Sequence, residues 1–228
     1  MRVINATKFY DYIICPSLYD YKYLHNFKEV LYENTKKTKL GTLIHNIIDA
    51  DFKNIPILPE HIKDEKINQW FNFYKNNYLP DSNLETHNEY EFNIPIKTNL
   101  ESVILTGRLD RVIFENNKAV IIDWKSTEKK TKLSRIITDL QMDFYAYALS
   151  KLRNIESIEI KIVYLDLKQE VIRNLTFQEI EKIEEKIINM INKTNPSIKS
   201  YIPNPIIIDK DIPFCNICDL NTICESFV

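Results

Sequence analysis

The sequence predicts one α/β domain with a cysteine-bound appendage. Three observations predict it. Segments of helical periodicity alternate with runs rich in β-branched residues, the pattern of strands packed against helices. No internal repeat or low-complexity linker divides the 228 residues. Three of the four cysteines sit in the last segment, and the fourth, Cys15, lies near the start. We therefore read residues 1–228 as a single domain, with a core over about 30–194. The Cys15 region and residues 195–228 form the appendage.

Residues 5–27 read as a helix rich in Tyr and Phe, broken near Cys15-Pro16 because proline lacks the N–H donor. A second helix is expected from Lys39 to about Phe52, since Leu40, Leu43, Ile44, Ile47 and Ile48 fall on one stripe. Pro56 and Pro59 end that region. A third helix covers about 60–79 and stops at Pro80-Asp81. Strand signals run from Glu89 through Ile96, then over 103–114 and 118–125. Residues 134–152 read as a helix, and 158–167 and 170–175 as two further strands. Thr176-Phe177-Gln178-Glu179 has the form of a capping box, so a helix should follow to about Asn192. Residues 195–214 carry Pro196, Pro203, Pro205 and Pro213 and read as irregular.

A hydrophobic content of 44% with 27% charged residues fits a soluble globular protein. The net charge of -2 gives no global pull toward nucleic acid, so any nucleic-acid surface must be a local basic patch. The start of the chain lacks a signal-peptide pattern. No apolar run approaches the roughly 20 residues that span a bilayer. A cytoplasmic protein with no membrane association is expected, and its cysteines are then thiols rather than disulfides.

Only two glycines occur, Gly41 and Gly107, and in so glycine-poor a chain each marks a backbone position with no room for a side chain. Gly107 opens Gly107-Arg108-Leu109-Asp110, and Asp123-Trp124-Lys125 follows. Between them, Asn116-Asn117 suits a two-residue hairpin turn, because Asn tolerates positive φ. Glu115 then faces Lys118, and counting outward sets Asp110 opposite Asp123. Residues so opposed have Cβ atoms about 4.5–5.5 Å apart. Two ionised carboxylates at that distance repel, and a divalent cation between them removes the penalty; oxygen ligands suit Mg²⁺ or Mn²⁺. Lys125, two residues beyond Asp123, projects from the same face. The alternative is an exposed strand face with a salt bridge. Ile121-Ile122 and Trp124 weigh against it, since a strand apolar on both faces is buried and a buried carboxylate needs a partner.

Four motifs stand in order: Gly41-Thr42-Leu43-Ile44-His45, Gly107-Arg108-Leu109-Asp110, Asp123-Trp124-Lys125, and Gln141-Met142-Asp143-Phe144-Tyr145. Together they resemble the RecB-like branch of the PD-(D/E)XK nuclease superfamily, with its upstream histidine and its GxxD, (D/E)xK and QxxxY elements. The resemblance implies a mixed central β-sheet flanked by helices. It implies a DNA-cutting enzyme in which Asp110, Asp123 and the Trp124 backbone carbonyl hold Mg²⁺ or Mn²⁺. His45 would be a further ligand that favours Mn²⁺, and Lys125 would orient and activate the attacking water. Gln141 and Tyr145, four apart on one helix face, would touch DNA near the scissile phosphate. A hydrogen-bonded core histidine and ordinary helix packing are the alternatives for His45 and Tyr145.

Cys215-x2-Cys218-x5-Cys224 closes the chain, and with Cys15 it makes a four-thiolate set. Spacing alone leaves zinc and an iron–sulfur cluster open. One N-terminal and three C-terminal cysteines around the nuclease motifs resemble the [4Fe–4S] nucleases, which include the AddB subunit of a helicase–nuclease and the CRISPR-adaptation exonucleases. That resemblance implies a [4Fe–4S] cluster, action on single-stranded DNA ends, and a CRISPR integrase or a helicase as partner. The chain itself has no GxxxxGK[ST] helicase motif. Lys125, Lys129, Lys130, Lys132 and Arg135 form a cationic stretch beside the site, and Lys36, Lys37 and Lys39 precede His45. These are candidate phosphate contacts; solvated loops are the alternative. Tyr10, Tyr12, Tyr19, Tyr21 and Tyr23 suit either base stacking or core packing.

Overall fold

The computed structural model describes residues 1–24, 36–126, 132–195, 207–209, 212–218, 220 and 224. Its strands are β1 (Arg2–Ile4), β2 (Glu85–Lys97), β3 (Ser102–Glu115), β4 (Lys118–Lys125), β5 (Ser157–Tyr164) and β6 (Gln169–Thr176), with a small hairpin of β7 (Ile207–Asp209) and β8 (Ile212–Pro213). The helices are α1 (Ala6–Ile14), α2 (Pro16–Tyr19), α3 (Lys36–Phe52), α4 (Glu65–Asn77), α5 (Lys132–Leu152) and α6 (Phe177–Lys193). Six strands form one mixed sheet in the order β1-β3-β4-β5-β6, with β2 also on β3. This is the predicted α/β class, and β4 has the predicted bounds.

β3 organises the sheet. β2 pairs with it antiparallel along one whole edge, from Lys97↔Ser102 to Glu85↔Phe114. The other edge is shared. β1 pairs in parallel with residues 103–105, and β4 antiparallel with residues 111–115. Neither strand pairs with residues 106–110, so the sheet has a notch where the GxxD motif lies. The Arg2 guanidinium fixes the β1 wall of this notch. It donates to Thr194 O (2.7 Å), Tyr19 Oη (2.8 Å) and Ile191 O (2.9 Å), and it pairs with Glu101. A three-residue strand has too little pattern to announce itself, and β1 was not expected.

Helices cover both faces. Phe9 of α1, Phe144, Ala148 and Leu149 of α5 and Ile183 and Ile187 of α6 pack with Ala119 and Ile121 of β4 on one face. Ile44 and Ile48 of α3 and Trp70 and Tyr74 of α4 pack with Ile122 and Trp124 on the other. The alternation along β4 sends Asp123 and Lys125 to the α5 face. A third cluster joins Ile14, Cys15 and Leu18 near the start to Leu220 near the end.

Local signals account for most boundaries. Asn116 has φ 53, as a tight Asn-Asn turn requires. The capping box at Thr176 is made: Glu179 N donates to its hydroxyl, and Glu179 Oε2 accepts from Thr176 N at 2.7 Å. The third helix is shorter than expected. Pro59–Ile62 is a separate 3₁₀ turn, and α4 starts after Asp64, whose carboxylate accepts from Lys66 N and Ile67 N. The first helix is in pieces: Pro16 sits at the first position of α2, and a π-turn follows over Asp20–Leu24.

Candidate active site

The notch opens into a cleft of about 540 Å³. Asn5 and Thr7 at the start of α1, Gly107 and Arg108 of β3, and Gln141 and Tyr145 of α5 line it, together with His45, Asp110, Asp123 and Lys125. Four elements, α3, β3, β4 and α5, thus bring the four motifs together. Neither glycine has positive φ. Gly107 is needed for close approach instead: a Cβ there would lie 2.5 Å from Phe92 Cζ and 3.2 Å from Tyr145 Cε1. Phe92 is buried and cannot yield cheaply. Gly107→Ala is therefore expected to destabilise the fold by about 1–3 kcal/mol, read as a lower thermal midpoint. At Gly41 the nearest atom is the Ser126 hydroxyl at 2.8 Å, which can rotate away.

The hairpin ladder runs from Glu115↔Lys118 to Arg111↔Ile122 in the register counted from sequence, and it ends one step short of Asp110 and Asp123. Asp110 Oδ2 there accepts the Trp124 N–H at 2.8 Å. His45 of α3 reaches the same point. Its Nε2 lies 3.0 Å from Trp124 O, and its Nδ1 lies 3.4 Å from Asp110 Oδ1. A carbonyl only accepts, so Nε2 carries a proton and Nδ1 is turned toward the carboxylate. The Trp124 carbonyl, expected as a metal ligand, is thus also a hydrogen-bond acceptor for His45.

One residue of the site was missed. Glu89, which the sequence marks only as the start of a strand, places a carboxylate oxygen with His45 and Asp110 so that all three ligand atoms lie within 4.8 Å of one another. Its φ of 48 is the reason. In the β2–β3 register Asn88↔Arg111 and Tyr90↔Leu109 are pairs, and Glu89 stands between them opposite Asp110. A left-handed residue inside a strand costs about 1–3 kcal/mol and re-aims its side chain. The break shows in the packing as well: Leu109 and Val112, three apart, join the same core cluster. Arg111 meanwhile turns to the other face, buried against the rings of Tyr74 and Trp124.

Lys125 is held from two sides. Its Nζ lies 2.7 Å from Asp123 Oδ2 and donates to Gln141 Oε1 at 3.1 Å. Gln141 Nε2 in turn donates to Tyr145 Oη at 2.9 Å. Gln141 and Tyr145 share a helix face as predicted, and Tyr145 is also a core ring against Phe92.

The buried charges are out of balance. Burial pushes the Asp123 carboxyl up to about 6; Lys125 opposes this and the Asp110 charge adds to it. Burial would raise Asp110 as well, but the His45 hydrogen bond and charge, the Trp124 N–H and Lys125 outweigh it and hold Asp110 low. Asp123 Oδ2 is buried with no hydrogen bond of good geometry, Lys125 being near but poorly angled. The ligand atoms of His45, Glu89 and Asp110, grouped within 4.8 Å of one another, fit a divalent metal such as Mg²⁺ or Mn²⁺, while the Asp123 oxygen is not one of that group and lies 2.7 Å from the Lys125 ammonium.

Lys129 and Lys130 fall outside the described residues. Lys132 and Arg135 open α5, and their side chains, like those of Lys36 and Lys37, also fall outside. Tyr10 lines the cleft. Tyr19 is a buried core ring edge-on to Tyr12, so packing accounts for it. Cys15, Cys215, Cys218 and Cys224 line one cavity with Leu18, Phe214 and Leu220. Burial raises the Cys215 thiol, and the nearby Cys15 and Cys224 raise it further.

The fold and the cleft define a nuclease class. The chain belongs to the PD-(D/E)XK nuclease superfamily, whose family model matches residues 3–225. Among solved structures it is similar to the crystal structure of SSO0001, at 15% identity and a TM-score of 0.50, over 100% of this chain and 88% of that one. That likeness concerns the fold. No curated protein matches. Among the described residues, no helix is long and apolar enough to cross a membrane.

Proposed function

We propose that the chain is a metal-dependent deoxyribonuclease that trims single-stranded DNA ends and carries a [4Fe–4S] cluster. The observation that carries the nuclease reading is one cleft holding His45, Asp110, Asp123 and Lys125, with the ligand atoms of His45 and Asp110 grouped beside that of Glu89. Asp110, Asp123 and His45 would hold Mg²⁺ or Mn²⁺, with the Trp124 carbonyl as a further ligand. When bound, the metal withdraws charge from a phosphoryl oxygen and makes a nearby water a better nucleophile. The Lys125 ammonium, steadied by Gln141, stabilises negative charge developing at phosphorus. Asp123 keeps that ammonium charged, since its nearness raises the lysine against the effect of burial. Gln141 and Tyr145 border the DNA path, and Lys129, Lys130, Lys132 and Arg135 extend it as phosphate contacts.

The four cysteines around one cavity support the cluster reading. The cluster would clamp the two ends of the chain onto the nuclease core. End processing of this kind suits a CRISPR integrase or a helicase as partner.

Cleavage of end-labelled single-stranded and duplex DNA by anaerobically purified protein tests the proposal. Wild type and Lys125→Ala are compared with Mg²⁺, Mn²⁺ and EDTA. Metal-dependent shortening from one end, slowed on the order of 10²–10³-fold in the variant, is expected. No cleavage with either metal, from protein that is folded and brown, overturns the enzyme and favours an end-binding subunit. A colourless preparation that contains zinc overturns the cluster.

A further inference from the structure

Glu89 stands between two claimants. Its carboxylate lies within 4.8 Å of the His45 and Asp110 ligand atoms, yet its Oε2 is 2.7 Å from Arg108 Nε. The ladder partner of Arg108 is Glu91, so its side chain reaches diagonally, two positions along β2, to meet Glu89. Arg108 is 62% exposed and lines the cleft, whereas the Glu89 side chain is 20% exposed. An exposed guanidinium loses little by releasing a carboxylate, because water replaces the contact. A divalent cation held by Asp110 and His45 would attract the same carboxylate more strongly than an exposed guanidinium does, since it carries two charges.

We propose that Glu89 is an exchangeable arm that couples metal loading to substrate capture. Without metal it pairs with Arg108 and holds that guanidinium down. With metal it turns to the ion as an additional ligand, and Arg108 is released to take a backbone phosphate of the incoming strand. Guanidinium is suited to that handover, since its fork matches phosphate as well as carboxylate. This inference rests on the metal-dependent reading above. It adds that the positive-φ residue of β2 is a positioning residue whose partner changes with metal.

The test reads Mn²⁺ binding by electron paramagnetic resonance, without DNA, in wild type, Glu89→Gln, Arg108→Ala and the double variant. Circular dichroism and thermal melting confirm that each is folded. Glu89→Gln is expected to weaken Mn²⁺ binding roughly 10–100-fold. Arg108→Ala should tighten binding in the wild-type background, and by clearly less once Glu89 is gone, because plain charge removal acts in both backgrounds and lost competition in only one. Fluorescence anisotropy with a phosphorothioate-linked single-stranded oligonucleotide gives the second readout. Mn²⁺ should tighten binding to wild type, and Arg108→Ala should lose most of that gain. Unchanged Mn²⁺ affinity in Glu89→Gln, or an equal effect of Arg108→Ala in both backgrounds, overturns the exchange and leaves the nuclease intact. A folded wild type that binds no Mn²⁺ overturns the metal-dependent reading itself.

Discussion

Asp123→Asn is expected to lower metal-supported cleavage of DNA ends by at least roughly 10²–10³-fold, the scale on which one electrostatic partner of a transition state counts. The same change should remove the rise in thermal midpoint expected of wild type with Mn²⁺. The reason is that Asp123 is costly when empty-handed. It is 2% exposed, burial pushes its carboxyl up to about 6, and one oxygen has no well-angled partner. A carboxyl raised in the folded state contributes no penalty while it is protonated in both states. As pH climbs from the ordinary carboxyl value of 3.8 toward about 6, the unfolded chain ionises first, and the metal-free fold loses stability over that window. A divalent cation reverses the loss at neutral pH, worth about 2.7 kcal/mol at a hundredfold excess over its dissociation constant. Thermal melts of the metal-free protein across that range, with and without Mn²⁺, check both signs. A flat profile that ignores Mn²⁺ would count against Asp123 as a ligand. Asparagine preserves shape and removes the charge, so a fall in cleavage without loss of folding separates chemistry from architecture.

Cys15→Ser should have the largest effect on stability. Cys15 and the three late cysteines face one cavity across the small core of Ile14, Leu18 and Leu220. A cross-link there closes nearly the whole chain into a loop. By the loop-closure estimate such a link contributes about 5 kcal/mol. For a chain of this size that corresponds to a midpoint lower by roughly 10–20 °C. On the proposed cluster, iron content and visible absorbance should fall with it, while Glu89, Asp110 and Asp123, on strands far from the ends of the chain, keep their mutual geometry. Unchanged midpoint and iron content in the variant would remove Cys15 from the cluster.

The parts of this molecule that sequence foretold are those governed by local rules. A turn of two asparagines set the hairpin register, and the ladder from Glu115↔Lys118 to Arg111↔Ile122 follows it, ending one step short of Asp110 and Asp123. Thr176 and Glu179 announced the start of α6 by a capping box that the structure contains. Gln141 and Tyr145, four apart, share a face and are bonded to each other. What sequence hid depends on partners far along the chain or on broken periodicity. β1 is three residues long and owes its existence to β3 a hundred positions later. Glu85–Asn88, polar and without alternation, gave no strand signal, yet they pair with 111–114. Glu89 was hidden because period-two reasoning assumes continuous alternation, and its left-handed backbone breaks that assumption. A non-glycine residue at positive φ inside a strand leaves no mark in a single sequence.

The notch in the sheet has a consequence for selectivity. Residues 106–110 present one edge of their main chain to the cleft, unclaimed by β1 or β4. Peptide groups are chemically alike at every position, so a floor built from them cannot tell one base from another. It can sense only the contour and charge of what lies along it. Such a floor is also hard to alter by point mutation, because a substitution changes the side chain and leaves the amide in place. A nuclease of this superfamily gains in such a floor a bed that drift in its own coding sequence scarcely touches.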